Sequence, residues 1–418
     1  QEFIDNIKRL RHHASLALWC GNNEMEMFVK QGTWVTKPTE MRDYLFMYER
    51  IIPEVLSEYD PDTFYWPASP SSGGSFDEPN DPNRGDVHYW EVWHGNKPFS
   101  EYRKYFFRYA SEFGFQSFPS VKTLETVTDD PKELNPFSYV MEKHQRNYGG
   151  NGKIAKYMQA AYRYPENFSD FVYASQLLQA DGIRYGVEHY RRNRGRCMGA
   201  IYWQLNDCWP VISWSSIDYY GRWKAQHYFA RQAYRDLLVS PIADEEGMLN
   251  IYVVSDLPAS CSGTLDVKVI KLTGEIISDF RQTVKIAANT SRKLFSIELD
   301  KALKNIPKED VFIYARLTDK NKNIYSNQYF LVKQKEVNYP KVSITRDIKP
   351  VEGGFEVTLK SDYFARAVFL STGDAESSFS DNYFDILPGT PVSVVIYTVL
   401  SQSMLEKQLK VISLSDEY

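Results

Sequence analysis

Cysteine is scarce in this sequence: four residues in 418, at Cys20, Cys197, Cys208 and Cys261. So few cannot staple a chain of this length, and free thiols are the expectation. No pair of CxxC units suggests a structural zinc. Nor is His12-His13 a metal pair, because neighbouring residues on a helix point in different directions. No metal and no other cofactor is expected. Long apolar runs are missing too: nothing approaches the roughly 18 consecutive residues that span a bilayer, so no membrane partner is expected. The formal net charge is −5 and no long basic run occurs, which gives no footing for nucleic acid. Gln1 leads straight into helical sequence, so no signal peptide is expected within these residues.

Aromatic surface, by contrast, is plentiful. Phe, Trp and Tyr make up 15% of residues, with 30 Tyr and 9 Trp. Their flat apolar faces and polar edges suit stacking on sugar rings, although most must fill cores. The length exceeds one ordinary domain, and two or three are expected. Apolar (43%) and charged (25%) fractions are those of a globular protein.

Periodicity divides the chain. Glu2 to His13 sets Phe3, Ile4, Ile7 and Leu10 on one helical face. Ser15 to Cys20 then reads as a buried strand. The alternation repeats: a helix from Met41 to Tyr59, a strand at Phe64-Tyr65-Trp66, and a loop rich in Pro, Ser, Gly and Asp from Pro67 to Arg84. Short strands follow at Asp86 to Tyr89 and Tyr109 to Glu112. Ser169 offers a cap for a helix of roughly 20 residues, Met198 to Trp203 reads as a buried strand, and Trp223 to Leu238 as an amphipathic helix. Strands alternating with helices indicate a parallel α/β sheet or barrel. After Leu238 short alternating runs with turn residues between them, such as Leu249 to Val254 and Val311 to Leu317, have the spacing of β-sandwiches. Residues 1–238 are therefore read as α/β, with two all-β domains at 246–334 and 338–418.

Two acids stand at the ends of buried strands. Leu18-Trp19-Cys20-Gly21-Asn22-Asn23-Glu24 and Ser111-Glu112-Phe113-Gly114 each run from apolar strand to carboxylate. In a parallel barrel such positions face the active site. A pair of carboxylates is what glycoside hydrolysis needs, one to protonate the departing oxygen and one to attack the anomeric carbon or activate water.

Three motifs carry a resemblance. Leu16-Ala17-Leu18-Trp19-Cys20-Gly21-Asn22-Asn23-Glu24 resembles the Asn-Glu acid/base motif of glycoside hydrolase family 2, in its β-mannosidase spelling. Ser111-Glu112-Phe113-Gly114-Phe115-Gln116-Ser117-Phe118-Pro119 resembles the nucleophile segment of that branch. Tyr202 to Pro210, continuing through Ser213 to Gly221, is similar to its last barrel strand and following loop. The likeness covers residues up to about 236 well and the β domains more loosely, with Asp381-Asn382-Tyr383-Phe384-Asp385 similar to β-mannosidase tails.

The resemblance implies strands 4 to 8 of a (β/α)8 barrel followed by two immunoglobulin-like sandwiches, with Glu24 as acid/base and Glu112 as nucleophile of a retaining mechanism. It implies that Glu24 is protonated and Glu112 ionised before the sugar arrives. Asn23 would hydrogen-bond the sugar 2-hydroxyl, His88 would line the pocket, and Trp203 and Trp209 would form a stacking floor. Relatives place a Tyr near the Gly-Lys-Pro turn, where this sequence has Trp93-His94-Gly95; either His94 would stand in for it or the pH profile would differ. The implied substrates are β-mannoside oligosaccharides or glycans cut at their non-reducing ends. The rivals are β-glucosaminides, β-galactosides or β-glucuronides, and a non-catalytic carbohydrate-binding fragment. Barrel strands 1 to 3 and N-terminal β domains would lie outside these residues, leaving an open sheet with apolar edges. A periplasmic or secreted setting would follow for a bacterium, a lysosomal one for an animal.

Overall fold

The structure is a computed structural model that describes every residue except 33, 374, 417 and 418. Its contacts divide the chain into two compact units, residues 1–114 with 189–203, and residues 115–188 with 204–418.

The first unit opens with α1 (Glu2–Leu10), β1 (Leu18–Cys20) and α2 (Met25–Gln31). The expected helix at Met41 to Tyr59 starts earlier and has three parts: α3 (Pro38–Leu45), a π-helical turn and α4 (Ile52–Tyr59). Pro38 stands at its first turn, where the missing N–H costs nothing. Ile7 of α1 and Ile52 and Leu56 of α4 form a small buried core, against which Trp19 and Tyr65 pack. Next come β2 (Phe64–Trp66), β3 (Val87–His88) and β4 (Ala110–Glu112). β1 and β2 are parallel, and so are β3 and β4.

The segment 198–203 continues this parallel order without forming a full strand. Ala110 donates to Gly199 O at 3.0 Å, Ile201 to Ala110 O at 2.8 Å and Trp203 to Phe113 O at 2.9 Å. Gly199 allows the close approach, because a Cβ there would lie 2.0 Å from the Tyr109 ring. Five parallel segments thus occur in the expected order, and among the described residues the sheets do not close into a barrel. Two of the segments are less buried than their apolar sequences suggest: Leu18 is 45% exposed, Met198 56% and Ile201 53%. Their side chains are as apolar as expected; what they lack is a cover.

In the second unit α5 (Val121–Leu124), α6 (Tyr139–Lys143) and α7 (Gly150–Ala161) lead to α8 (Phe168–Arg192), a helix of 25 residues. Its cap is Asn167, whose Oδ1 accepts from Asp170 N at 3.0 Å, rather than Ser169. The expected Trp223–Leu238 helix ends early: α9 covers Ala225–Ala233, and Leu237 and Leu238 already pair with Ser255 and Val254.

Those two residues begin the first sandwich. It comprises β5 (Leu237–Ala243), β6 (Met248–Ser255), β7 (Cys261–Lys271), β8 (Ile276–Ile286), β9 (Thr290–Glu298), α10 (Leu299–Leu303), β10 (Val311–Asp319) and β11 (Ile324–Tyr329). The sheets run β5-β6-β9 and β11-β10-β7-β8, antiparallel throughout. Alternate residues such as Leu249, Ile251 and Val253 share one buried core with Leu265, Val267 and Val269, each worth about 1.5–3 kcal/mol of transfer free energy.

The second sandwich has β12 (Ile344–Val351), β13 (Gly354–Ser361), β14 (Ala365–Ser371), β15 (Ser377–Phe379), β16 (Phe384–Ile386), β17 (Val392–Thr398), α11 (Gln402–Gln408) and β18 (Lys410–Ile412). Its sheets are β12-β13-β17-β15 and β16-β14-β18. Arg366 Nη1 meets both carboxylate oxygens of Asp385 at 2.9 and 3.0 Å, and its Nη2 reaches Asp181 of α8 at 3.1 Å.

The four cysteines are unpaired. No helix among the described residues is long and apolar enough to cross a membrane.

Candidate active site

β1 ends in a turn that aims Glu24. Gly21 lets that turn pass close to the neighbouring strand, since a Cβ there would lie 2.3 Å from Pro67 O. Asn22 Nδ2 donates to Pro67 O at 3.0 Å while its Oδ1 accepts from Met25 N at 3.0 Å, tying turn, strand and helix together. Glu24 itself has φ +62°, a left-handed conformation uncommon for a side-chain-bearing residue, and is held there by its N–H to Ser69 O at 2.7 Å. Asn23 is exposed and its backbone bridges to Ser69.

His88 stands between the two acids. Its Nδ1 is 2.8 Å from Glu24 Oε1 and 3.3 Å from Glu112 Oε2. Reactive atoms of Glu24, His88 and Glu112 all lie within 4.8 Å of one another. A trio of this kind is able to ligate a divalent ion, but 2.8 Å is the length of a direct hydrogen bond, and these atoms already satisfy one another.

On the far side of the ring, Nε2 is 2.9 Å from Ser69 Oγ. Ser69 gives its one hydroxyl hydrogen to Asp86 Oδ2 at 2.6 Å, so Nε2 is the donor to Ser69. Asp86 also accepts from Ser111 Oγ at 2.6 Å and Trp66 Nε1 at 2.8 Å. Asn80 grips the His88 backbone from both sides, Oδ1 accepting from N and Nδ2 donating to O, each at 3.0 Å.

Glu112, last residue of β4, accepts from Trp90 Nε1 at 3.3 Å. Burial pushes its carboxyl above the ordinary range. A positive charge on His88 and the Trp90 N–H oppose this, and the negative charges of Glu24 and Asp86 add to it. The direction is opposite to that expected for a carboxylate ionised at rest.

The other expected residues are spread more widely. His94 is exposed, its ring edge-on to Trp90 at 5.3 Å and its N–H on Trp90 O at 2.7 Å. Trp203, 40% exposed, is the last residue of the segment beside β4. Trp209 belongs to the other unit, stacked on His144 at 4.9 Å with Arg146 over its face at 5.2 Å.

Asp86 and Trp90 were not singled out from sequence, although strand alternation had the signal. Residues 86, 88 and 90 fall on one face at period two, and the acids meet that face. Ser69, Ser111 and Asn80 had no comparable signal, because their roles arise from loops brought together over distances of 8 to 42 residues.

Mixed helix and strand followed by two immunoglobulin-like domains resembles the C-terminal portion of glycoside hydrolase family 2 proteins. Within that family the chain is β-mannosidase-like and matches its C-terminal portion. Residues 247–336 match the Mannosidase Ig/CBM-like domain and 339–417 the Ig-fold domain of mannosidases. The chain is 32% identical to a β-mannosidase of Capra hircus over 450 aligned residues, covering 100% of this chain and 51% of the relative. It is 32% identical to β-mannosidase B of Aspergillus terreus over 317 residues, covering 69% of this chain and 37% of that one. A crystal structure of β-D-mannosidase from Dictyoglomus thermophilum superposes with TM-score 0.87 and 30% identity over 99% of this chain and 51% of that one. An exo-chitosanase of Amycolatopsis orientalis shares the fold, with TM-score 0.72 at 16% identity over 99% of this chain and 52% of the other. The chain thus spans about half the length of the relatives it matches.

Proposed function

We propose that these residues carry the double-displacement chemistry of an exo-acting retaining β-mannosidase. One observation carries the reading: one carboxylate oxygen of Glu24 and one of Glu112 lie within 4.8 Å of each other. Carboxyls about 5 Å apart suit retention, whereas inverting enzymes leave roughly 6.5–9.5 Å for a water. Glu112 attacks the anomeric carbon as the glycosidic bond breaks, and Glu24 delivers its proton to the leaving oxygen. In the second step Glu24 takes a proton from water, which attacks the same carbon and frees Glu112.

Hydrogen-bond donors support this division of labour. Nε2 of His88 donates to Ser69, so one proton is shared at Nδ1 with Glu24 at 2.8 Å. The Trp90 N–H, and positive charge on His88 whenever the shared proton lies on its ring, act against the burial that raises the Glu112 carboxyl. Asn23, exposed beside Glu24, is free to meet the 2-hydroxyl, a contact that strengthens as the ring flattens.

The deciding experiment is hydrolysis of aryl β-mannoside beside aryl β-galactoside, β-glucoside and β-glucosaminide. Preferential mannoside cleavage that drops at least about 10³-fold in Glu112→Gln is expected. Preference for another sugar would refute the specificity, and turnover surviving in Glu112→Gln would refute the mechanism.

A further inference from the structure

The contacts between His88 and the two acids hang on a single proton. Because Nε2 of His88 donates to Ser69, the neutral ring turns the lone pair of Nδ1 toward Glu24 Oε1 at 2.8 Å and Glu112 Oε2 at 3.3 Å. An imidazole lone pair and two carboxylates are all acceptors, and one shared proton serves one pair at a time. Asp86 adds negative charge behind the ring. A divalent cation would satisfy all three donors at once.

The support around His88 is that of a metal-binding histidine. Such a ring almost always donates its other N–H to a carboxylate, a carbonyl or a water, which fixes the tautomer. Here Ser69 accepts that N–H and is itself anchored on Asp86 Oδ2 at 2.6 Å, while Asn80 holds the backbone on both sides. Trp90 Nε1 engages one lone pair of Glu112 Oε2 and leaves another. The His88 side chain is 1% exposed, those of Glu24 and Glu112 19% and 13%, so solvent reaches the trio from the carboxylate side.

Spacing and donor type select the ion. Donors about 2.0–2.2 Å from a tetrahedral zinc sit roughly 3.4 Å apart. His88 and Glu112 already have that spacing, and His88 and Glu24 need to open by about half an ångström. The two carboxylate oxygens, within 4.8 Å of each other, adjust by side-chain rotation. Magnesium and calcium ask for six or more oxygens, whereas one imidazole with two carboxylates suits zinc.

We infer that Zn²⁺ binds between Glu24, His88 and Glu112, with the shared proton released to solvent, and that it inhibits the chain. A bound ion would occupy the Glu24 oxygen that protonates the leaving group and the Glu112 oxygen that attacks. The binding site stands on the geometry alone; the inhibition rests on the roles proposed above for the two acids.

Calorimetric titration of zinc chloride into the unsubstituted chain is compared with Glu24→Gln and Glu112→Gln, each close to the parent in shape and one anionic donor short. Exposed Cys20 and Cys208 also attract zinc, so the quantity read is the difference between proteins. One site at least about tenfold weaker in both variants is expected. Identical titrations of all three proteins, or no zinc binding by the unsubstituted chain, overturn the site. With aryl β-mannoside as substrate, zinc is expected to suppress turnover and a chelator to restore it. Turnover untouched at zinc concentrations that fill the site overturns the inhibition alone. If the chain turns over no substrate even without zinc, the proposed function falls and the inhibition with it, and the site is judged by the calorimetry.

Discussion

His88 is one of the most constrained residues of the first unit: its backbone is gripped by Asn80, its Nε2 by Ser69, and its Nδ1 by two acids. The consequence falls on Glu112. Its carboxyl is raised by burial, so the folded state binds a proton more tightly there than the unfolded chain does. Stability from this group is therefore present below the ordinary carboxyl range and is lost as pH rises through the higher folded value. Glu112→Gln removes that dependence. Thermal melts across pH 4 to 8 should show the variant more stable than the parent at the neutral end, with the advantage gone at the acid end. A constant difference would mean the burial is not felt. Glu24 and Glu112 were legible in the sequence because each closes a short apolar strand. The charge balance between them was not, since it depends on Asp86, Trp90 and burial, which only the assembled loops create.

At the scale of elements, α8 shows how a helix holds extended loop segments. Ser175, Gln176 and Gln179 form a buried polar stripe. Phe118 N donates to Ser175 Oγ at 3.2 Å, and Gln176 Nε2 donates to Phe118 O at 3.2 Å. Gln179 Nε2 reaches Phe115 O at 2.8 Å and the carbonyls of Trp214 and Ser215, and its Oε1 accepts from Ser117 Oγ at 2.6 Å. Gln179→Leu strands those buried groups at about 1–3 kcal/mol each. Urea denaturation should register a loss of about 3 kcal/mol or more, and a loss below 1 kcal/mol would show that water replaces the amide. The helix was legible from a capping oxygen near its start, although the cap is Asn167 rather than Ser169, and its polar stripe was not. The sandwich strands not named from sequence, β5, β11, β12, β15 and β16, are all edge strands. β12 turns only Ile344 and Ile348 toward the core and contains Pro350, so charge and proline, which protect an edge, also erase the alternation that reveals a strand. Leu237-Leu238 misled for the opposite reason: an apolar pair extends a helical pattern equally well, and pairing with β6 decided the outcome.

Across the second unit, Arg366 links the last sandwich to α8 through Asp385 and Asp181. The guanidinium is fully buried, and its two carboxylates hold it protonated despite the loss of water. Removing one member of such a cluster leaves the rest uncompensated, at about 3–5 kcal/mol. Arg366→Met should lower Tm by several degrees in a calorimetric scan, and an unchanged Tm would mean the carboxylates are solvated in the native state. The division into α/β sequence followed by two sandwiches was legible from periodicity alone. Exposure was not, because a strand's own residues do not say whether anything covers them. That has a practical side. Leu18, Phe64, Met198, Ile201 and Trp203 present apolar surface in the native first unit, and hydrophobic dyes respond to such surface whether or not a protein has unfolded. A dye-monitored melt of this chain should therefore start bright and brighten little on heating, and intrinsic fluorescence or calorimetry would be the sounder gauge of its folding.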